Sequence, residues 1–236
     1  MSSRIFPKLA GFIRTRRLLF VPIERWGSLL QFDCAPDFDI ISFSYDGSDF
    51  PEGYFPVIPR AHLKSQTEFY GETFRLLMIW VSMREDSEWG RVCVLNGDVI
   101  TKVSDLNNLF LVSDVYDLDA SQASLTWDSY WSHAHLLHKP GILVEKVDFI
   151  ELMAPVLSMR LIRSMVELNM WTISSWGIDA CVVPYLIRRN SLTAPAVVHS
   201  SLMHHCKPVE SGNKIYSNGL TAQQELAILE RKLMAI

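Results

Sequence analysis

The sequence predicts an α/β protein: a single open mixed sheet flanked by helices. Three observations carry this. "RVCVL" (91–95) is a continuous short apolar run, the pattern of a strand buried on both faces of a mainly parallel sheet. "SDLNNLFLVSDV" (104–115) follows it with helical spacing, and strand-like and helix-like segments go on alternating without an internal repeat. The 236 residues are 49% hydrophobic and 20% charged, which allows one sizeable core and excludes a disordered or fibrous chain.

The elements follow in order. "RLLFVPI" (17–23) and "FDIISFSYD" (38–46) are rich in β-branched and aromatic residues and read as strands, the second stopping at a turn. "SQTEFYGETFRLLMIWVSM" (65–83) has apolar residues at helical spacing, weakened only by Gly71. Next come the 91–95 strand, the polar triplet Asn96-Gly97-Asp98 at its end, and the helix 104–115 with Ser104 as its expected N-cap. "ASQASL" (120–125) reads as a strand, "LVEKVDFIELMAPVLS" (143–158) as a strand or hairpin, and "SMRLIRSMVELNM" (158–170) as a helix. "IDACVVPYLI" (178–187) reads as a short helix interrupted by Pro184, and "APAVVHSS" (194–201) as a last strand. "LTAQQELAILERKLM" (220–234) closes the chain with a helix that has a Thr221–Gln224 capping box.

Composition narrows the function. A formal net charge of −4 gives no bulk attraction to nucleic-acid phosphates. Cys34, Cys93, Cys181 and Cys206 are far apart and form no CxxC pair, so the expected compartment is the reducing cytoplasm. "RLLMIWVSM" (75–83) is too short to span a bilayer. Arg4, Lys8, Arg14, Arg16 and Arg17 alternate with Phe6, Leu9, Phe12 and Ile13. That pattern suits a segment lying on a membrane surface, or a basic lead-in to the first strand.

Open α/β sheets bind ligands beyond the carboxyl ends of their strands, and Asn96-Gly97-Asp98 stands at such an end. Asp98 is therefore preferred as an oxygen ligand for Mg²⁺ or Mn²⁺ over Asp37, Asp39, Asp117 and Asp119. Two histidine groups, His133/His135/His138 and His199/His204/His205, offer imidazoles for a metal or for proton transfer, or are hydrogen-bonded loop residues. In "SSWGIDA" (174–180), Trp176 could form an apolar wall, Gly177 permit close backbone approach, and Asp179 act as a base at a helix start; the simpler reading is a first-turn acid.

Four ordered stretches carry a family resemblance. "LDASQASLTWDSYWSH" is similar to L-A-Q-P-x-L-x-x-D-S-Y-x-S-H, "DFIELMAPVLS" to N-F-V-E-x-M-A-P-x-F-S, "SSWGIDACVVPYL" to S-G-W-G-L-D-x-x-W-P-x-L, and "VVHSSLMHHCKPVESG" to I-D-x-x-x-x-R-H-T-R-P-V-G. Residues 117–212 thus resemble a family of glycosyltransferase-like proteins classed with nucleotide-diphospho-sugar transferases of the GT-A, Rossmann-like fold. The resemblance implies one domain over 1–236, with 1–100 as its nucleotide-binding half and 101–236 as its acceptor-side half and terminal helix.

It also implies a function: metal-assisted transfer of a sugar from a nucleotide-diphospho-sugar to a glycan, lipid, protein or nucleobase hydroxyl. Asp98 falls on the last acid of the family's triplet and would touch Mn²⁺ or Mg²⁺, with His205 completing the metal shell. Asn96 and Gly97 replace the other two acids, Lys207 replaces an arginine, and His199 stands in place of an aspartate. Asp179 matches an acid that binds or deprotonates the acceptor, with Glu151 next in line. Asn96, Gly97, Asp128, Tyr130, His133, Trp176, Gly177 and Lys207 would line the donor and acceptor sites. The alternatives are a non-catalytic nucleotide- or sugar-binding module with a degenerate metal site, and a hydrolase built on His133, His135 and His138.

Overall fold

The computed structural model describes residues 16–23, 30–51, 56–64, 67, 69–84, 89–208 and 212–236. Of the basic segment, only Arg16 and Arg17 fall among these. They are held by acids, Arg16 by Asp39 at 2.8 Å and Arg17 by Asp114 at 2.7 Å.

The predicted class is the observed one. Among the described residues, ten strands form one mixed sheet in the order β2(Leu30–Gln31), β6(Val99–Lys102), β10(Ala196–His205), β7(Ala120–Leu125), β9(Val156–Ser158), β5(Arg91–Val94), β1(Arg17–Pro22), β3(Asp39–Ser44), β4(Ala61–Lys64), with β8(Val144–Lys146) also paired to β10. Strands β5, β1, β3 and β4 are mutually parallel, and β9 runs antiparallel to both β5 and β7. Helices α1(Tyr70–Ser82), α2(Val103–Val115), α3(Met159–Leu168), α4(Val183–Arg189) and α5(Ala222–Met234) complete the fold. No helix among the described residues is long and apolar enough to cross a membrane.

Strand β1 shows why the apolar runs are continuous. Its residues alternate between two cores: Leu19 and Val21 join Phe110 of α2 on one side, while Leu18 and Phe20 join Phe74 and Met78 of α1 on the other. A strand covered on both faces has no polar face to show.

Several boundaries differ from the sequence reading. Ser104 lies inside α2, and the cap comes from across the fold, where Asp33 accepts from the Ser104 amide at 3.0 Å. The 143–158 segment is no hairpin, because β8 pairs with β10 while β9 inserts between β5 and β7. Pro184 does not interrupt a helix: residues Ile178–Val182 form a single π turn, and Pro184 sits at the start of α4, where a missing N–H costs nothing. Thr221 and Gln224 do form the capping box of α5. Strand β10 runs to His205, four residues beyond prediction, and carries an irregularity: Val198 faces Ala123 and Leu202 faces Ser124, so three residues of β10 are inserted between adjacent partners.

Gly71 has a packing reason for being small. A Cβ there would lie 2.4 Å from the Ile173 carbonyl oxygen, 2.7 Å from that of Thr172 and 2.6 Å from the Ser175 amide nitrogen. The start of α1 thus packs directly on the backbone that leads to Asp179. Gly71→Ala is expected to lower the unfolding free energy by about 1–3 kcal/mol, because backbone, not a flexible side chain, must move. Urea denaturation with an unchanged m-value would check it.

Candidate active site

The turn after β5 is built by Asn96. Its side chain accepts from the Gly97 amide at 2.8 Å, its own amide donates to the Met153 carbonyl at 2.7 Å, and Gly97 is buried. The Asp98 carbonyl accepts from the Cys206 amide at 2.9 Å, which ties the turn to the end of β10. This brings together the two residues expected to meet a metal: His205 Nε2 lies 3.4 Å from Asp98 Oδ2. The Tyr130 carbonyl fixes the other ring nitrogen, Nδ1, at 2.9 Å. Hydrogen bonding to Asp98 first, and to the Tyr130 carbonyl, raises the His205 pKa against the opposing effect of burial. Asp98 Oδ1 is buried with no hydrogen-bond partner.

A pair of acids, Glu151 and Asp179, lies near this acid–imidazole pair, His205 being within electrostatic reach of Glu151. Glu151 follows Ile150 in the loop before β9, and its Oε2 is likewise buried without a partner. Burial pushes the Glu151 carboxyl up to about 7, nearby Asp179 pushes the same way, and His205 pulls back. His133 Nε2 stands 3.8 Å from Glu151 Oε1. Burial first, and neighbouring His135, hold the His133 imidazole below its ordinary pKa, and at 3.8 Å the two groups are beyond hydrogen-bond range.

Asp179 differs from expectation. The amino end of a helix was to keep it ionised, but it sits in a single π turn and burial raises it to about 6. The amides of Ala180, Asp179 itself and Leu152 oppose that shift, Ala180 at 2.7 Å from Oδ1. Gly177 does not open space for a ligand: with φ of 84° it faces α5, where a Cβ would meet Leu226 and Leu229 side chains at 2.8 Å. Trp176 packs its ring over Gly212.

The remaining expected residues are dispersed. Asp128 is exposed and pairs with His204 at 3.5 Å, Tyr130 is half-exposed, and Lys207 is exposed just beyond His205. The histidine triplet is divided among different partners: His135 meets the Phe149 carbonyl at 3.1 Å and His138 meets Ser124 at 3.2 Å. His199 is buried between Glu145, at 3.2 Å, and the Lys139 amide. The rejected acids are structural. Asp119 is fully buried and accepts from Ser158, Arg160 and the Thr193 amide, while Asp39 accepts from Trp89 Nε1 at 2.7 Å.

Two contributors went unnoticed in the sequence. Tyr70, at the start of α1, donates to the Leu152 carbonyl at 2.7 Å, and buried Gln122 accepts from the Glu151 amide at 2.7 Å. Gln122 had a visible signal, a long amide side chain in a strand otherwise made of Ala, Ser and Leu.

Among the described residues no three His, Cys, Asp or Glu side chains group as a metal cage. A cation that keeps waters and takes phosphate oxygens needs only one or two protein carboxylates. The orphaned Asp98 Oδ1 beside His205 fits that requirement.

No protein-family model and no curated protein matches the chain. Solved structures do: S. aureus TarS 1-349 in complex with UDP-GlcNAc matches with a TM-score of 0.59 at 8% identity over 94% of this chain, and a second S. aureus TarS 1-349 structure with 0.57 at 8% over 94%. The chain spans 66% and 65% of their lengths. At such identity the likeness establishes a shared fold alone.

The raised carboxyls set a pH dependence. A folded pKa above the unfolded one means that the folded state holds extra protons, so this stabilisation is complete below about pH 4 and is lost as pH rises through about 7. Glu151→Gln is expected to remove about half of that loss, the Asp179 share remaining. Relative to the parent it should gain roughly 2–3 kcal/mol between acid and neutral pH, read from denaturation curves taken at intervals across that range.

Proposed function

We propose that the chain is a glycosyltransferase that moves a sugar from a nucleotide-diphospho-sugar to a hydroxyl acceptor. The observation that carries the reading is the pair of buried, unpartnered carboxylate oxygens, Asp98 Oδ1 and Glu151 Oε2, in one site at the strand ends of a fold shared with a UDP-GlcNAc complex. An orphaned acid oxygen is costly to bury, and a ligand repays that cost.

Asp98 and His205 would hold Mn²⁺ or Mg²⁺ against the donor diphosphate. A divalent cation there supplies positive charge to the leaving group. Glu151 Oε2 is the better-placed proton acceptor. It has no competing donor, and a pKa of about 7 matches the work of a general base at neutral pH. This reverses the order expected from the motifs, because Asp179 already serves three backbone amides. Asp179 then orients the acceptor hydroxyl and, by its charge, keeps Glu151 basic. As the hydroxyl oxygen bonds to the anomeric carbon, its proton passes to Glu151, and the pair of the breaking carbon–oxygen bond leaves on the nucleoside diphosphate.

The second reading, a binding module without turnover, is favoured by the uncharged Asn96 and Gly97 beside Asp98. Calorimetry with UDP and other nucleoside diphosphates, in Mn²⁺ and in chelator, tests the donor site. Metal is expected to tighten binding and Asp98→Ala to abolish the difference; equal affinity in both conditions would overturn the metal role. With donor and acceptor found, Glu151→Gln should lower turnover by ~10²–10⁴-fold and Asp179→Asn by less, with nucleotide affinity unchanged in both. Turnover that survives Glu151→Gln would return the base to Asp179, and absence of transfer with intact nucleotide binding would favour the module.

A further inference from the structure

We propose that residues 126–132 form the acceptor platform of this site and that it receives the ring faces of a neutral carbohydrate; the proposal deepens the transferase reading and rests on it. Three of the five residues from 127 to 131 are aromatic and left in water: Trp127 is 67% exposed, Tyr130 52% and Trp131 48%. Clustered rings of this size are normally buried, and an exposed group of them marks a binding surface.

The backbone that presents them is fixed. The Thr126 amide donates to Met203 at 2.9 Å, the Ser129 amide to Thr126 at 3.1 Å, and the Tyr130 amide to His205 at 2.9 Å. The His205 amide returns a bond to Ser129 Oγ at 3.2 Å, and its ring is held by the Tyr130 carbonyl. The rings therefore stand on a loop anchored to the residue that pairs with Asp98. The loop backbone is thereby held beside His205, and a pre-ordered loop loses little entropy on binding.

The polar groups choose the occupant. Asp128 lies between Trp127 and Tyr130 in the sequence, its side chain 82% exposed and 3.5 Å from His204, and no Lys or Arg occurs from 126 to 138. A carboxylate accepts hydrogen bonds from sugar hydroxyls, and aromatic faces carry negative charge that favours the polarised C–H faces of a pyranose. The same group repels phosphate and uronate polymers. It also disfavours an anionic bilayer, whose surface attracts Lys and Arg.

The full chain and a Trp127→Ala/Trp131→Ala variant would be applied to a printed array of neutral and anionic glycans and to vesicles of phosphatidylcholine with and without phosphatidylserine. Retention on neutral glycans is expected, falling at least tenfold in the variant, with melting temperature and UDP affinity in Mn²⁺ unchanged. Retention confined to anionic glycans, equal retention by the variant, vesicle binding lost in the variant, or retention on no glycan would each overturn the platform. UDP titration of the parent is read separately: neutral-glycan retention without UDP binding sinks the transferase reading and leaves the platform in place, whereas UDP binding without glycan retention does the reverse.

Discussion

Three hydrogen bonds to one short loop hold the site together. Between Ile150 and Pro155 the chain is neither strand nor helix, yet successive residues are pinned to different elements: Glu151 to Gln122 of β7, Leu152 to Tyr70 of α1, and Met153 to Asn96 after β5. The Leu152 amide also reaches the Asp179 carboxylate. Each bond joins a piece of the site that is remote in sequence to the same few atoms of backbone. The loop is buried, so none of these groups can trade its partner for water, and their mutual placement is set by the sheet.

The treatment of acids separates architecture from chemistry. Asp114 receives both Arg17 and Arg91, Asp119 receives Arg160 together with a hydroxyl and an amide, and buried Glu225 accepts from the Ile173 and Ser174 amides and from Asn218. These carboxylates are saturated, as buried charges must be when they only support a fold. Glu225 also steadies the turn that delivers Asp179, which explains why α5 packs beside the π turn. Asp98 and Glu151 are each left with one oxygen unsatisfied, in contrast to these three acids.

The class of the fold was legible because burial on both faces leaves a plain signature, as in β1 and β5. Strands β2, β4 and β6 were not, since two to four residues with mixed polarity carry no period. The position of β9 was hidden too: three residues reveal neither direction nor partners, which tertiary packing decides. At the site, Asp98, His205, Glu151, Asp179 and His133 were singled out from their types and motifs, and the structure gathers them. What the sequence concealed was geometry across the sheet. Gly177 looked open but is occupied by α5, and nothing in the helical pattern marked Tyr70 as the tether of Leu152. The basicity of Glu151 is a property of burial, which no residue type announces.

The inserted residues of β10 have a consequence for how this chain can change. Val198 and Leu202 are held opposite adjacent residues of β7, and His199, Ser200 and Ser201 fill the excess, bonded to Glu145 and Asn108. Side chains alternate along a strand, so losing any one of the three would draw the remainder of β10 back by a single step. Cys206 would then take the place of His205, and the imidazole opposite Asp98 would give way to a thiol. Substitutions can accumulate in this segment, but its length is fixed. Variants of the chain should therefore show insertions and deletions elsewhere and an unvarying count of residues between Val198 and His205.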